Sequence, residues 1–502
     1  MSTQDYTAAK GKNTLTCDVV IVGSGPGGAA AARTLAEGGK KVIVLEEGPA
    51  KPNFRPNQQH TMRYHMQEKG QMLAQGDLIF PVAAGRGVGG GSLINSAICW
   101  RAPDAVLRGW IPELNGDDRY SPEHLAPIYE ELEALLGIAD TPEEVWGENN
   151  AIVIRGANAL GLNGRPLKRN TPGCVGCGIC NFGCPSGGKA SVDRNLIPMA
   201  IAAGAIVQGD VKVDHLLYED GKMKGVSGTV RNPDSEEVVG ELTILADIVI
   251  VAAGGIGSPR LFHHTGMAHH LGPACGQNLH LHPGNAVFGL CDHEVHMWKG
   301  ATQGAYFKDP ELPEILPHTI SLDPGALLLA MGGIGAQAKE MMALLPRMCG
   351  CLVMVTDKGS GSVGSTNDGR ASITYWWDED DIRLTKLGML RTAEVLVAGG
   401  AKRLLVPIHG VGWVDSVDEL REKMADKGLR DFLVMYSSHP TGTCHMGVDP
   451  ETSVVRPDGR AHHIEGLYIA DSSLFPSALG VNPQLTTMAM ATVIAKGILA
   501  NG

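Results

Sequence analysis

Asp18-Val19-Val20-Ile21-Val22-Gly23-Ser24-Gly25-Pro26-Gly27-Gly28 is the stretch whose reading decides the fold: an apolar β run that ends in three glycines spaced G-x-G-x-x-G. Each glycine has its own reason. Gly23 lets the chain turn tightly out of the strand, Gly25 lets backbone approach a pyrophosphate, and Gly28 lets the next helix lie close on a sheet. The Ala-rich segment from Gly27 to Glu37 continues as a helix whose N-terminal amides and positive dipole end face the phosphates. A second strand, Lys41 to Leu45, ends in Glu46, close to the spacing of about 20 residues at which a carboxylate accepts from a ribose hydroxyl. A carboxylate there would repel a 2′-phosphate. A bare glycine triplet carries little weight in a chain with 66 glycines. Strand, turn, helix, strand and acid in that order predict an α/β, Rossmann-like domain that holds a dinucleotide.

The 502 residues are enough for one large or two ordinary domains, and 43% hydrophobic with 19% charged residues is a globular composition. A net charge of −12 without a local basic cluster argues against nucleic acid or an anionic membrane as partner. No apolar run reaches the roughly 18 residues of a membrane span. The first sixteen residues read as a polar tail without the apolar core of a signal peptide, which predicts a cytoplasmic protein. Four of the 11 cysteines lie between Cys174 and Cys184. In a reducing compartment that crowding points to metal or redox chemistry before disulfides.

Further along, Gly85-Arg86-Gly87-Val88-Gly89-Gly90-Gly91-Ser92-Leu93-Ile94-Asn95 is a second glycine-rich turn with apolar flanks, built to turn backbone amides toward something flat or anionic. The segment from Pro49 to Gln75 has little periodicity and reads as a long surface excursion or lid. Residues 122–136 have helical spacing of apolar residues. Val207–Leu217 and Leu242–Ala252 read as strands, as does Ser372–Trp377, and Asp381–Val397 as a helix. Cys174, Cys177, Cys180 and Cys184, followed by Pro185, obey C-x2-C-x2-C-x3-C-P, the spacing by which bacterial ferredoxins hold iron–sulfur clusters. Zinc is an alternative for four thiolates, and a disulfide another.

The chain resembles the glucose-methanol-choline (GMC) oxidoreductases through five motifs in family order. Besides the two glycine turns these are Ala252-Ala253-Gly254-Gly255-Ile256-Gly257-Ser258-Pro259, then Ser438-His439-Pro440-Thr441-Gly442-Thr443-Cys444-His445-Met446-Gly447, and Asn482-Pro483-Gln484-Leu485-Thr486. The motif style is closest to the long-chain alcohol oxidases and dehydrogenases that carry a Cys-rich loop. The resemblance implies a resident FAD, an FAD-binding domain over 1–285 and 436–502, and insertions at about 49–80 and 165–195. It also implies a substrate domain over 286–435 with an antiparallel sheet as a roof over the flavin. Gly23, Gly25, Gly28, Glu46, Arg86, Val88, Gly89, Ser92, Asn95, Val211, Asp471, Pro483 and Thr486 would hold the cofactor. In Gly276–Pro283, which is similar to the family's G-x-N-L-x-D-H-P, Leu281 stands where the family has aspartate. For the cysteine run the resemblance offers two outcomes. Long-chain alcohol oxidase relatives have a similar structural loop there, whereas some bacterial sugar dehydrogenases have a cluster that relays electrons.

The implied chemistry centres on His439 and Asn482. An alcohol loses hydride readily only if its proton leaves too; His439 is the candidate base and Asn482 the partner of the developing alkoxide. Apolar runs at Gly325–Met331 and Met341–Leu345 are either ordinary core helices or a lining that suits an apolar or amphipathic alcohol. The alternatives are a sugar or polyol dehydrogenase with an iron–sulfur relay, and a non-catalytic electron carrier. The electron acceptor is O2, a quinone or a redox protein.

Overall fold

In the computed structural model, residues 11–55, 57–321, 323–331 and 334–501 are described. The quoted stretch forms the middle strand, Val19–Val22, of a five-stranded parallel sheet. Its neighbours are Val42–Leu45, with Ile206–Gln208 beyond, and on the other side Ile248–Val251, with Leu467–Ile469 beyond. Strands covered on both faces must be apolar throughout, and Val19, Val20 and Ile21 are wholly buried. The helix Pro26–Glu37 packs on the helix Gln484–Ala500, its small Ala29–Ala32 face allowing close approach, so segments far apart in sequence are seated together.

A second sheet runs in the order Gly11–Thr16, Val238–Leu245, Lys222–Arg231, Val211–Glu219. Two readings change here. Gly11–Thr16 is not tail but an edge strand, paired parallel with Val238–Leu245, while residues 1–10 lie outside the described residues. Val207–Leu217 and Leu242–Ala252 are each two strands that serve different sheets. The first breaks at Gly209-Asp210, where Asp210 takes a left-handed φ of 59° and gives its N–H to Gly48, and the second breaks at Ala246-Asp247.

The roof is a seven-stranded antiparallel sheet centred on Gly284–Leu290, Met348–Val355 and Ile315–Thr319, with the helix Glu379–Ala398 against it. Arg165–Pro166, from far upstream, completes one edge. Ala371–Trp376 pairs with Leu73–Gly76, which draws part of the 49–80 insertion into the same half of the molecule. That insertion is more ordered than its sequence predicts, with a helix at Gln58–His65 capped by the Asn57 side chain. The helix at 122–136 falls where its spacing puts it.

Candidate active site

A cavity of about 590 Å³ opens where the parallel strands end and the roof begins. Ligands of doubly wound sheets sit at this edge, where loops leave the carboxyl ends of the strands. Gly23 and Gly25 line it, with Gly90, Ser92 and Asn95 from the second glycine turn, and Gly254 from the third. The turns meet backbone to backbone. A Cβ on Gly90, whose φ is +53°, would lie 2.6 Å from Gly25 Cα, and one on Gly28 would lie 2.0 Å from Gly23 O. The second contact is the close helix–sheet packing expected of Gly28, which therefore stands behind the wall. Arg86, Val88 and Gly89 also stand behind it. Arg86 Nη2 donates to Glu47 O at 3.1 Å, and Gly89 N donates to Ser24 Oγ at 3.1 Å.

Glu46 reaches the cavity wall, but its carboxylate also knits the loops together. Oε2 accepts from Ser24 N and Oγ (3.1 and 2.8 Å), and Oε1 accepts from Gly48 N and Gly87 N (both 3.1 Å). Burial, with Glu47 beside it, pushes its pKa up despite those bonds. Glu47 shifts the other way, because Arg260, 3.2 Å away, and Arg86 outweigh its burial. Asp471 repeats the knitting at the next strand end. It accepts from Gly254 N (2.8 Å), Ser258 Oγ (2.5 Å) and Ser473 N (2.8 Å), and burial raises its pKa. Val211 lines the wall with its N–H already given to Glu46 O, and Val213 beside it was not singled out from sequence.

His439 and Asn482, 43 positions apart, meet on the wall: the Asn482 amide donates to His439 Nε2 at 3.0 Å. Asn482 Oδ1 is buried without a partner. An orphaned buried acceptor is costly, and here it marks a place for a ligand. Burial, reinforced by the imidazoles of His282 and His318, holds the His439 pKa well below the usual histidine value, against the opposing pull of Asp357. The ring is therefore neutral near pH 7. Pro483 lines the cavity, whereas Thr486 lies deeper, at 3.0 Å from the Tyr129 hydroxyl. Asn95 reaches Gln484 Oε1 at 2.8 Å and so ties the second glycine turn to the motif that carries Asn482.

Sequence reasoning missed His282, His318 and Asp357. His282 lay in a quoted motif without a role, and His318 had no motif. Asp357 is 76 positions from Leu281, yet its carboxylate accepts from Leu281 N and His282 N at 2.8 and 3.1 Å. The apolar stretches at 325–331 and 341–345 take the core reading for the most part. Among their described side chains Leu327, Met331, Met341 and Leu345 are core, and Ala326 reaches the wall. Leu329 and Ala330 lie outside the described side chains.

Cys174, Cys177, Cys180 and Cys184 border one void of about 10 Å³, room for about one water. All are free thiols. Arg169 Nη2 donates to Cys180 Sγ at 3.1 Å, and with Lys189 it lowers that thiol's pKa against the effect of burial. Among the described residues no three His, Cys, Asp or Glu side chains gather closely enough to hold a metal ion. Lys189 is buried beneath the run. Its Nζ donates to Leu93 O, Asn95 O and Cys180 O (2.8, 2.9 and 3.1 Å), and burial lowers its pKa to about 8.

Fold and site together are those of a flavoprotein oxidoreductase. Residues 32–284 and 360–491 match the two family models described as GMC oxidoreductase. An uncharacterized GMC-type oxidoreductase of Mycobacterium tuberculosis is 35% identical over 489 residues, covering 96% of this chain and 76% of that protein. A long-chain-alcohol oxidase of Arabidopsis thaliana is 29% identical over 517 residues, covering 96% and 68%. Among solved structures, pyridoxine 4-oxidase from Mesorbium loti superposes with a TM-score of 0.73 at 18% identity, covering 96% of this chain and 99% of that one. The chain belongs to the GMC oxidoreductase family. FAD is the cofactor of that family, and the cavity fits it. Gly25 and Gly90 both line the cavity where the Pro26–Glu37 helix begins, and only bare backbone at Gly90 lets the two turns come together there, since a Cβ on it would lie 2.6 Å from Gly25 Cα. Among the described residues no helix is long and apolar enough to cross a membrane.

Proposed function

We propose that the protein oxidises the CH–OH group of an apolar or amphipathic alcohol to an aldehyde or ketone. The reading rests on the His439–Asn482 contact, with a neutral imidazole and an unpartnered amide oxygen on the wall of a cavity shared by the dinucleotide edge and the roof. FAD, when bound, supplies the hydride acceptor. The substrate hydroxyl displaces the Asn482 N–H from His439 Nε2, which then takes the hydroxyl proton and makes hydride loss from the carbinol carbon favourable. The Asn482 N–H that meets Nε2 is the donor for the same oxygen as negative charge grows on it. Neither group is needed merely to hold a flavin, which disfavours a passive electron carrier.

The wall supports an apolar substrate. Its acids among the described residues, Glu46, Glu47 and Asp471, all lie at the sheet edge, whereas Met62, Met72, Ile320, Leu352 and Met354 cover the roof and lid side. The long-chain-alcohol oxidase relative acts on alcohols of that character. The cysteine run does not fit a cluster as it stands, because its void admits about one water, so we read it as a strut beneath the second glycine turn. The eleven unpaired thiols support a cytoplasmic setting.

Anaerobic mixing with a panel of fatty, aromatic, sterol and sugar alcohols tests the proposal. Fatty or sterol alcohols should bleach the yellow chromophore, and reoxidation by O2 against quinones then names the acceptor. Bleaching by sugars alone, with iron in the purified protein, would replace this reading with the dehydrogenase relay.

A further inference from the structure

His282 has a 2% exposed ring that lines the cavity, and the reaction above gives it no role. Its Nε2 accepts two main-chain N–H groups, from Leu479 at 3.1 Å and Gly480 at 3.0 Å. A neutral imidazole has one acceptor nitrogen, so the proton is on Nδ1, which is buried without a partner. The turn it holds is pinned from the other side as well: Gly480 has φ +72°, and a Cβ there would lie 2.4 Å from Thr356 Oγ1. Two residues beyond that turn stands Asn482. The His282 ring also packs edge-on against His439, with centroids 5.5 Å apart.

The backbone under His282 is itself held in an unusual shape. His282 has φ +47°, a left-handed value that a side chain disfavours and that persists only where the surroundings impose it. Asp357 imposes it by accepting both the Leu281 and His282 N–H groups, and it is fixed in turn by the Tyr375 hydroxyl at 2.7 Å. We propose that His282 is a positioning residue for this reaction: by accepting the 479 and 480 amides it sets the turn that presents Asn482 to His439. The inference rests on the alcohol-oxidation reading for its kinetic arm, but not for its structural one.

The lock works only while Nε2 is bare. Protonation would place a third N–H against the two amides, so acid should release Asn482 as well as disarm His439. The charged and titratable groups that face the ring are Asp357, His280, whose Nδ1 is 3.6 Å from Asp357, and His439. Burial lowers the His282 pKa to about 4, with His280 acting in the same direction and Asp357 in the other.

The test compares His282→Leu, which fills the space without an acceptor, with His282→Gln, which keeps an acceptor but cannot take up a proton. Hydrogen exchange of a peptide covering residues 476–484 should speed up in the Leu variant and stay protected in the Gln variant. Anaerobic bleaching by alcohol should slow by about 10²-fold in the Leu variant, the scale of a small misplacement of a reacting group, and recover largely in the Gln variant. Below about pH 4, where His282 takes up its proton, the acid limb of the parental bleaching rate should be steeper by one unit of slope than that of the Gln variant. Unchanged exchange in the Leu variant, equal slowing in both variants, or equal slopes in parent and Gln variant below that pH would each overturn the proposal. If no alcohol bleaches the parent, the functional reading fails while the exchange arm still decides whether His282 locks the turn.

Discussion

An imidazole serves as a proton acceptor only while it is neutral, and the wall around His439 keeps it so. Burial lowers its pKa first, and the neighbouring imidazoles of His282 and His318 add to the effect. A depressed pKa leaves the base form populated above it. The bleaching rate should therefore stay level as pH falls through 6.5 and drop only well below that value, as followed by stopped-flow absorbance. His439→Ala should slow the same step by about 10² to 10⁴-fold. Asn482→Ala should cost about 10² to 10³-fold in the maximal rate, with little change in FAD content, since one oxyanion donor is lost. Both residues were legible because each stands in a short motif. Asp357 was not, since its partners Leu281 and His282 lie 76 and 75 positions away and no local pattern links them.

At the scale of elements, the loops matter more than the strands they leave. Lys189 joins the cysteine run to the second glycine turn through three carbonyls, two of them at Leu93 and Asn95. Lys189→Met removes those donors and leaves buried acceptors unpaired, which should cost about 3 kcal/mol and release FAD, measurable by thermal unfolding and by flavin fluorescence. Strand existence was readable where both faces are apolar, as at Val19–Val22 and Val42–Leu45. It was not readable at Gly11–Thr16, whose largely exposed side chains carry no pattern and whose place comes from backbone pairing with Val238–Leu245. The merged strands failed for a related reason. Apolar character continues across Asp210 and Asp247 while the chain changes sheets, and periodicity does not record a change of partner.

For the whole molecule, the buried histidines set an acid limit. Folding holds the His282 pKa at about 4, below its ordinary 6.5, so the unfolded chain binds the proton first as pH falls. The fold then loses stability between about pH 6.5 and 4, by about 3 kcal/mol from this group alone. Denaturant titrations of His282→Gln should show a shallower loss over that window than the parent. The two-part architecture was legible from the order of the motifs. The crossing of Leu73–Gly76 and Arg165–Pro166 into the roof half was not, because strands this short take their place from the sheet they join.

The packing of Gln484–Ala500 on Pro26–Glu37 has a consequence for biosynthesis. His439, Asn482 and the edge strand Leu467–Ile469 are translated after all three glycine turns, so a nascent polypeptide carries its cradle before it carries the side chains proposed to act above it. A ribosome-bound chain that has not yet made Gln484–Ala500 would leave the Pro26–Glu37 face uncovered, and the two halves of the wall could not yet meet.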